Sequence, residues 1–320
     1  MSDILLNKTI KLGISACLLG EKVRYDGGHK LDHFLKDTLG QFIEWIPVCP
    51  EVESGLPVPR EAMRLVGSPE EPRLLKIRSG EDYTDRMTQW AGKRLAEIAR
   101  EGLCGFIFKS KSPSSGMSRV KVYGASGIPS HAGVGIFARA FMDKFPYLPV
   151  EDEGRLCDPA LRENFIERVF VYKRWKELPG KGSLRHLIEF HTDHKLLVLS
   201  HSTKHYSALG NLVANAKQYD PGTLHEEYLR LLMDGLKLIA TMKKNTNVLH
   251  HMMGYFKKQL QPEEKQELME IIDDYHKGHI PLIVPITLLR HYVRIYDEPY
   301  LKRQHYLHPH PTELRLRNHV

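Results

Sequence analysis

Two cysteines, a carboxylate and a hydroxyl-rich loop carry the residue types with chemical potential near the N-terminus. The run KLGISAC ends at Cys17 and FIEWIPVC ends at Cys49, so each thiol closes an apolar stretch of strand length. The two lie 32 residues apart, which excludes the C-x-x-C spacing of a zinc knuckle. Isolated cysteines are ordinarily small buried hydrophobes. At strand ends they are also placed as ligands, and thiolates there suit an iron–sulfur cluster. Glu51 follows Cys49 by two residues in CPE, a position for general acid–base work beside whatever Cys49 holds, or for a solvated loop carboxylate. A third apolar run, FIF, leads straight into KSKSPSSG, Lys109 to Gly116. Proline and glycine punctuate that segment and its serines can bond nearby backbone, which predicts a tight loop lined with hydroxyls. Arg24, Tyr25, Arg60, Lys109 and Lys111 flank these loops and predict a basic rim suited to a phosphate-bearing substrate.

These residues meet only if strands bring them to one edge. Strands are expected at 10–15, 43–48, 105–109 and 147–151. A helix is expected from Thr84 to Arg100, with Thr84 as its cap, Met87, Ala91, Leu95 and Ile98 on one face, and Gly102 ending it. Another is expected from Gly133 to Lys144. Strands alternating with helices predict a parallel sheet covered on both faces. In such sheets the ligand crevice lies at the carboxyl ends of the strands. Asp158-Pro159 opens a helix through Trp175, and PGKGS (Pro179–Ser183) reads as a joint. Beyond it, helical periods follow at roughly 184–216, 222–243, 246–260, 262–276 and 283–296, with IPLIV the one further strand candidate. The fold class is therefore an α/β parallel-sheet N-terminal domain plus an all-α C-terminal helical domain. The domain bounds are 1–158, a connecting helix and linker at 159–183, and 184–320.

Composition agrees with two soluble domains. The 320 residues are 42% hydrophobic and 27% charged, and no apolar run approaches the ~20 residues of a membrane span. No signal-peptide layout opens the chain, and four scattered cysteines do not make a disulfide framework, so a cytoplasmic protein with reduced thiols is expected. A net charge of +7 favours a polyanionic partner. Of 18 histidines, fifteen follow residue 160, which sets the two halves apart.

The stretches SACLLGEKVRYDGGHK, CPEVESGLPVPRE and KSKSPSSG resemble the motif set of the thiouracil desulfidase (TudS) family over about residues 10–150. The segment LIEFHTDHKLLVLSHSTKHYSALGNLVA resembles the YbgA-type helical domain often fused to it. The resemblance implies a [4Fe–4S] cluster on three cysteines, with one iron open to the substrate's sulfur, and removal of sulfur from thiolated uracil. Two-domain members resemble desulfidases acting on 4-thiouridine in tRNA, with the helical domain gripping the RNA. By position, Cys17 and Cys49 match two cluster ligands, and Glu51 and Ser112 match the catalytic carboxylate and serine. The third ligand belongs to an SPSCG motif; here it is SPSSG, and Ser115 stands at the ligand position.

A serine oxygen is a harder, poorer ligand for iron than a thiolate. Three readings follow: an introduced Cys→Ser change, a natural loss of the cluster, or another cysteine in its place. Cys104 precedes its strand and belongs to the far edge of the sheet; Cys157 follows the 147–151 strand and is the better substitute. Both are read as structural thiols. In the C-terminal half, His191, His194, His201 and His205 share a face if one helix runs through them. Basic and aromatic residues interleave at Tyr172–Lys176, Lys204–Tyr206, Tyr255–Lys258, Arg290–Tyr292 and Lys302-Arg303, a pattern of phosphate neutralisation and base stacking, or of a bundle core with a solvated exterior. The family resemblance favours RNA. The expected activity is a tRNA 4-thiouridine desulfidase, weakened by Ser115. Its rivals are a desulfidase of free thiouracil or its nucleotide, and a non-catalytic RNA-binding adaptor with a decayed cluster site.

Overall fold

The computed structural model describes residues 10–124, 127–180 and 182–319. The chain divides into two compact units, Met1–Asp158 and Pro159–Val320.

In the first unit, strands β1 (Ile10–Ser15) and β2 (Ile43–Val48) lead into a one-turn helix, α1 (Pro50–Glu53). Next come β3 (Met63–Gly67), β4 (Pro72–Lys76), helix α2 (Thr84–Glu101), β5 (Phe106–Phe108), β6 (Val120–Tyr123), β7 (Pro129–Gly133), helix α3 (Ile136–Lys144) and β8 (Val150–Asp152). One sheet has the order β2-β1-β5-β8 and every pair in it is parallel. Its central strands are apolar on both faces, as strands covered on both sides must be. Phe106, Ile107 and Phe108 are all buried, and the two phenylalanines pack against Phe137 and Phe141 of α3 with ring centroids 4.7–6.3 Å apart. Gly13 of β1 faces this cluster, where a Cβ would stand 2.1 Å from Phe106 Cδ2, so only glycine fits. Met87, Ala91, Leu95 and Ile98 of α2 are all buried, as their spacing predicts.

The sequence pattern does not reveal the second sheet, order β4-β3-β6-β7, with β3 and β6 parallel and the outer pairs antiparallel. Its strands are four or five residues long, and β3, β4 and β6 open on buried-exposed-buried triplets such as Met63-Arg64-Leu65, so they lack the continuous apolar runs that mark the first sheet. Two boundaries also differ. Gly133 closes β7 and α3 starts at Ile136. Thr84 is the first helical residue of α2 rather than its cap, and the Thr84 amide donates to Asp82 Oδ1 at 2.9 Å.

The second unit is helical: α4 (Pro159–Lys176), α5 (Leu184–His201), α6 (Thr203–Ala214), α7 (Pro221–Leu236), α8 (Met242–Met253), α9 (Pro262–His276), α10 (Ile283–Ile295) and the single turn α11 (Pro299–Lys302). Lys181, in the joint read at PGKGS, lies outside the described residues. IPLIV forms no strand; it turns directly into α10. The expected helix over 184–216 is broken at Ser202, whose extended backbone and side chain cap α6 by accepting from the His205 amide at 3.2 Å. The four histidines therefore sit on two helices and take separate partners. His191 meets the Tyr228 hydroxyl at 3.2 Å, His194 the Phe190 carbonyl at 2.8 Å, His201 the Glu167 carboxylate at 3.1 Å, and His205 the Ser202 hydroxyl at 2.9 Å. They do not converge on a shared metal.

Candidate active site

The strand order sends the chain from β1 outward to β2, then back across β1 to β5, so the crevice of the sheet opens at the carboxyl ends of β1 and β5. Ser15 and Val48 are register partners, which brings the loops carrying Cys17 and Cys49 off the sheet side by side. There a cavity of about 280 Å³ is lined by Cys17, Arg24, Tyr25, Cys49, Glu51, Arg60, Lys109, Ser112 and Ser115, together with Ser15, Lys30 and Ser114. The two ligand cysteines, Glu51, the loop serines and the rim residues expected from the sequence all line this one cavity.

Cys17 sits in a 3-10 turn, Ala16–Leu19, closed by Gly20 at φ 95°. Its carbonyl accepts the amides of Gly20 and Lys30, which folds the basic loop back over the thiol. Cys49 precedes α1; its amide donates to Glu53 Oε1 at 2.7 Å and its thiol faces the Val23 carbonyl at 3.8 Å. Burial pushes the Cys17 thiol up to about 11, against the pull of Lys109 and with a push from Cys49. Burial likewise raises Cys49. Both are therefore neutral thiols whose protons a metal would displace on binding.

Glu51 is fixed from two sides. Arg60 places Nε at 2.8 Å and Nη2 at 2.5 Å from Oε2, while Ser114 Oγ donates to Oε1 at 2.9 Å. Arg60 is itself held by the carbonyls of Val23 and Pro57. Because Ser114 gives its hydrogen to the carboxylate, the 3.0 Å contact with Ser112 must run from the Ser112 hydroxyl to Ser114 Oγ. Ser112 Oγ also accepts the amides of Ser114 and Ser115 at 3.3 and 3.1 Å, which curls the SPSSG loop on itself. Ser115 is 4% exposed. Lys109 pairs with Glu153 beyond β8, and Ser110 donates to the same carboxylate from its amide and its hydroxyl, both at 2.7 Å.

Sequence reasoning did not single out Ser114 or Glu153. Three serines crowd the loop and nothing in their spacing tells which one meets Glu51; Glu153 was hidden because the β8 end carried no motif. The other two cysteines do not line the cavity. Cys104 bonds the Lys11 carbonyl at the start of β1, on the opposite edge, and Cys157 lies exposed with its thiol on the Glu153 carbonyl. Of the interleaved aromatics in the helical unit, Phe256 and Tyr292 are buried and Trp175 stacks on Tyr228 at 5.3 Å, so they belong to the bundle core. Tyr255 is 38% exposed, beside the exposed Lys257 and Lys258.

A parallel α/β unit with two strand-end thiols and a pinned carboxylate in one crevice, joined to a helical unit, is the class of protein that fold and site define. Residues 12–153 match the family described as 2-thiouracil desulfurase, and residues 195–311 match a family described as a protein of unknown function, DUF1722. The chain is 31% identical to the uncharacterized protein YbgA of Escherichia coli over 158 residues, 49% of this chain and 94% of that one. It is 31% identical to the uncharacterized protein YbbK of Bacillus subtilis over 108 residues, 32% of this chain and 71% of that one. A solved structure of the [4Fe–4S]-dependent thiouracil desulfidase TudS is 31% identical, covering 47% of this chain and 94% of that one, with a TM-score of 0.39. The chain belongs to the 2-thiouracil desulfurase family through its first unit and to the YbgA-type family through its second.

Proposed function

We propose that this chain removes sulfur from a thiolated uracil, that its cofactor is a [4Fe–4S] cluster, and that its substrate is 4-thiouridine in tRNA. The observation that carries the reading is the single cavity shared by Cys17, Cys49, Glu51 and the SPSSG loop. Iron–sulfur clusters take cysteine sulfur, and the donor set fits at Cys17 and Cys49. At the third corner Ser115 offers a hydroxyl oxygen, so the fit is weaker there. When bound, such a cluster supplies a Lewis acid for the thiocarbonyl sulfur, which makes the attached carbon electrophilic.

The chain's own residues do the rest. Glu51, pinned by Arg60 and Ser114, takes a proton from the attacking water and returns it to the departing sulfide. The Ser112 hydroxyl, in line with Ser114, orients substrate beside that carboxylate. The cationic rim of Arg24, Lys30 and Lys111 receives the phosphates flanking the base. The sum is C=S plus water giving C=O plus hydrogen sulfide, without net oxidation. Exposed Tyr255, Lys257 and Lys258 support RNA contact by the helical unit, and a tRNA substrate goes with a cytoplasmic location.

The test reconstitutes the chain and Ser115→Cys with iron and sulfide under anaerobic conditions. It then follows iron content and sulfide release from 4-thiouridine-containing tRNA and from free thiouracil. Both should rise in Ser115→Cys, with tRNA the better substrate. Equal iron and turnover in the two proteins would remove Ser115 from the ligand position, and release from free thiouracil alone would replace tRNA as substrate.

A further inference from the structure

The second unit holds a cavity of about 380 Å³ between α10 and the C-terminal segment 309–318. Arg290, Arg315, Arg317, His310, Thr312 and Asn318 supply its polar lining, with Glu313 exposed on the rim. We propose that this cavity binds a tetrahedral oxyanion of the phosphate class.

The inference starts from how the guanidinium charges are matched. Arg317, 5% exposed, spans two carboxylates, with Nε 2.9 Å from Glu163 Oε1 and Nη2 2.7 Å from Glu167 Oε1, and its Nη1 reaches the Tyr306 carbonyl at 2.6 Å. Each of its three nitrogens is bonded and its charge is balanced. Arg290 is different. Its Nε and Nη2 both go to one neutral acceptor, the Leu307 carbonyl, leaving Nη1 without a bond and the charge without a carboxylate among the described residues. Burial and the neighbouring Arg317 lower Arg290 to about 10, the direction expected of a cation that lacks a counter-charge. Arg315, exposed at the mouth, adds a second guanidinium from a left-handed backbone (φ 51°), a conformation usually left to glycine. An oxyanion would accept from Arg290 Nη1 and Arg315 in the forked geometry that guanidinium groups favour.

A cation is the competing occupant, because Glu163, Glu167 and His310 place ligand atoms within 4.8 Å of one another. Arg317 already occupies one oxygen of each carboxylate, and His201 Nε2 stands 3.1 Å from the other oxygen of Glu167. A divalent ion would add positive charge beside a fixed guanidinium, whereas an anion relieves Arg290. The charge pattern favours the anion.

The proposal stands apart from the desulfidase reading, and its test uses no activity. Inorganic phosphate is titrated into the full chain at constant ionic strength, with chloride as the balancing salt, and followed by calorimetry and by thermal melting. Saturable binding is expected, weakened about tenfold in Arg290→Gln and about threefold or more in Arg315→Ala, as for lost charge-assisted bonds. Arg315 is exposed, so its variant folds even if loss of the Leu307 contact unfolds Arg290→Gln. Lys265→Ala, exposed on α9 and outside this cavity, should leave phosphate binding unchanged. Two further arms name the source of the anion: uridine monophosphate and a short RNA are each competed against phosphate. Displacement by RNA, steeply weakened by salt, identifies a polynucleotide phosphate; displacement by the nucleotide alone identifies a free phosphate ester. Stabilisation no greater than that given by chloride, binding unchanged in Arg315→Ala, or binding lost in Lys265→Ala would each overturn the proposal.

Discussion

At the scale of single residues the site is organised around one carboxylate and the two groups that hold it. Arg60, with its side chain 3% exposed, places two N–H groups on Glu51 Oε2 and extends to the carbonyls of Val23 and Pro57. Removing one partner of a buried pair leaves the other charge stranded, which costs about 3–5 kcal/mol. Arg60→Met should lose about that much in urea unfolding. Arg60→Lys should recover part of it, since an ammonium keeps the charge but not the fork. A loss under about 1 kcal/mol in Arg60→Met would show a pair worth no more than a surface one. Ser114→Ala deprives Glu51 Oε1 of its donor and should cost about 1.5–3 kcal/mol, the range for a bond to a charged group. Ser112→Ala touches the carboxylate only through Ser114 and should cost less in the same titration.

At the scale of elements, the SPSSG loop is shaped by the helix that follows it. The amides of Gly135, Ile136 and Phe137 at the start of α3 donate to the carbonyls of Gly116, Pro113 and Ser114, so the first turn of α3 grips the loop backbone. Gly135 permits this grip: a Cβ there would lie 2.6 Å from the Ser114 carbonyl carbon and oxygen and 2.9 Å from the Gly116 nitrogen. Those atoms are backbone and cannot swing aside. Gly135→Ala should therefore cost about 1–3 kcal/mol and loosen the cavity. Faster labelling of Cys17 and Cys49 by a thiol reagent, with Cys104 unchanged, is the measurement; equal rates would mean that the loop does not depend on that contact. The sequence made this region partly legible. Apolar runs ending in Cys17, Cys49 and Lys109 marked three strand ends, because strands buried on both faces are written as unbroken apolar runs. The second sheet was not legible, since strands of four or five residues with one wet face leave too short an alternation. Nor was the break at Ser202, where a capping serine interrupts an apolar period that otherwise continues into the next helix. Ser114 stayed hidden because its role depends on a residue 63 positions away.

At the scale of the molecule, the helical unit concentrates buried imidazoles, and that gives it a pH dependence. Burial pushes His194 well below its ordinary value, with His305 and Arg174 adding to the effect. Burial and Arg174 bring His305 down to about 3, and burial and Lys195 bring His191 down to about 4. The His194 and His305 rings lie 4.3 Å apart, so a proton on either would face the other as well as Arg174. Unfolded histidine titrates near 6.5. Below that pH the unfolded chain binds more protons than the folded one, and stability must fall as pH falls, by at most about 1.4 kcal/mol per pH unit for each group. Glu163 works in the opposite sense: burial and Glu167 raise it to about 8, so its contribution is present below about 4.5 and lost as pH rises towards 8. Glu167 is lowered to about 2, chiefly by Arg317 and His201 acting against burial, and contributes above about 4.5. Burial also lowers His308 and His310 to about 4 and raises Asp193, so between about pH 6.5 and pH 4.5 five imidazoles oppose two carboxyls, and the net slope has the sign of the histidines. The melting temperature of the helical unit, followed by Trp175 fluorescence or far-ultraviolet dichroism, should fall steadily from about pH 7 to about pH 5. His194→Gln should flatten that slope even though it lowers stability at neutral pH. A melting temperature that holds level or rises over the same interval would mean that these imidazoles already carry their protons in the folded chain.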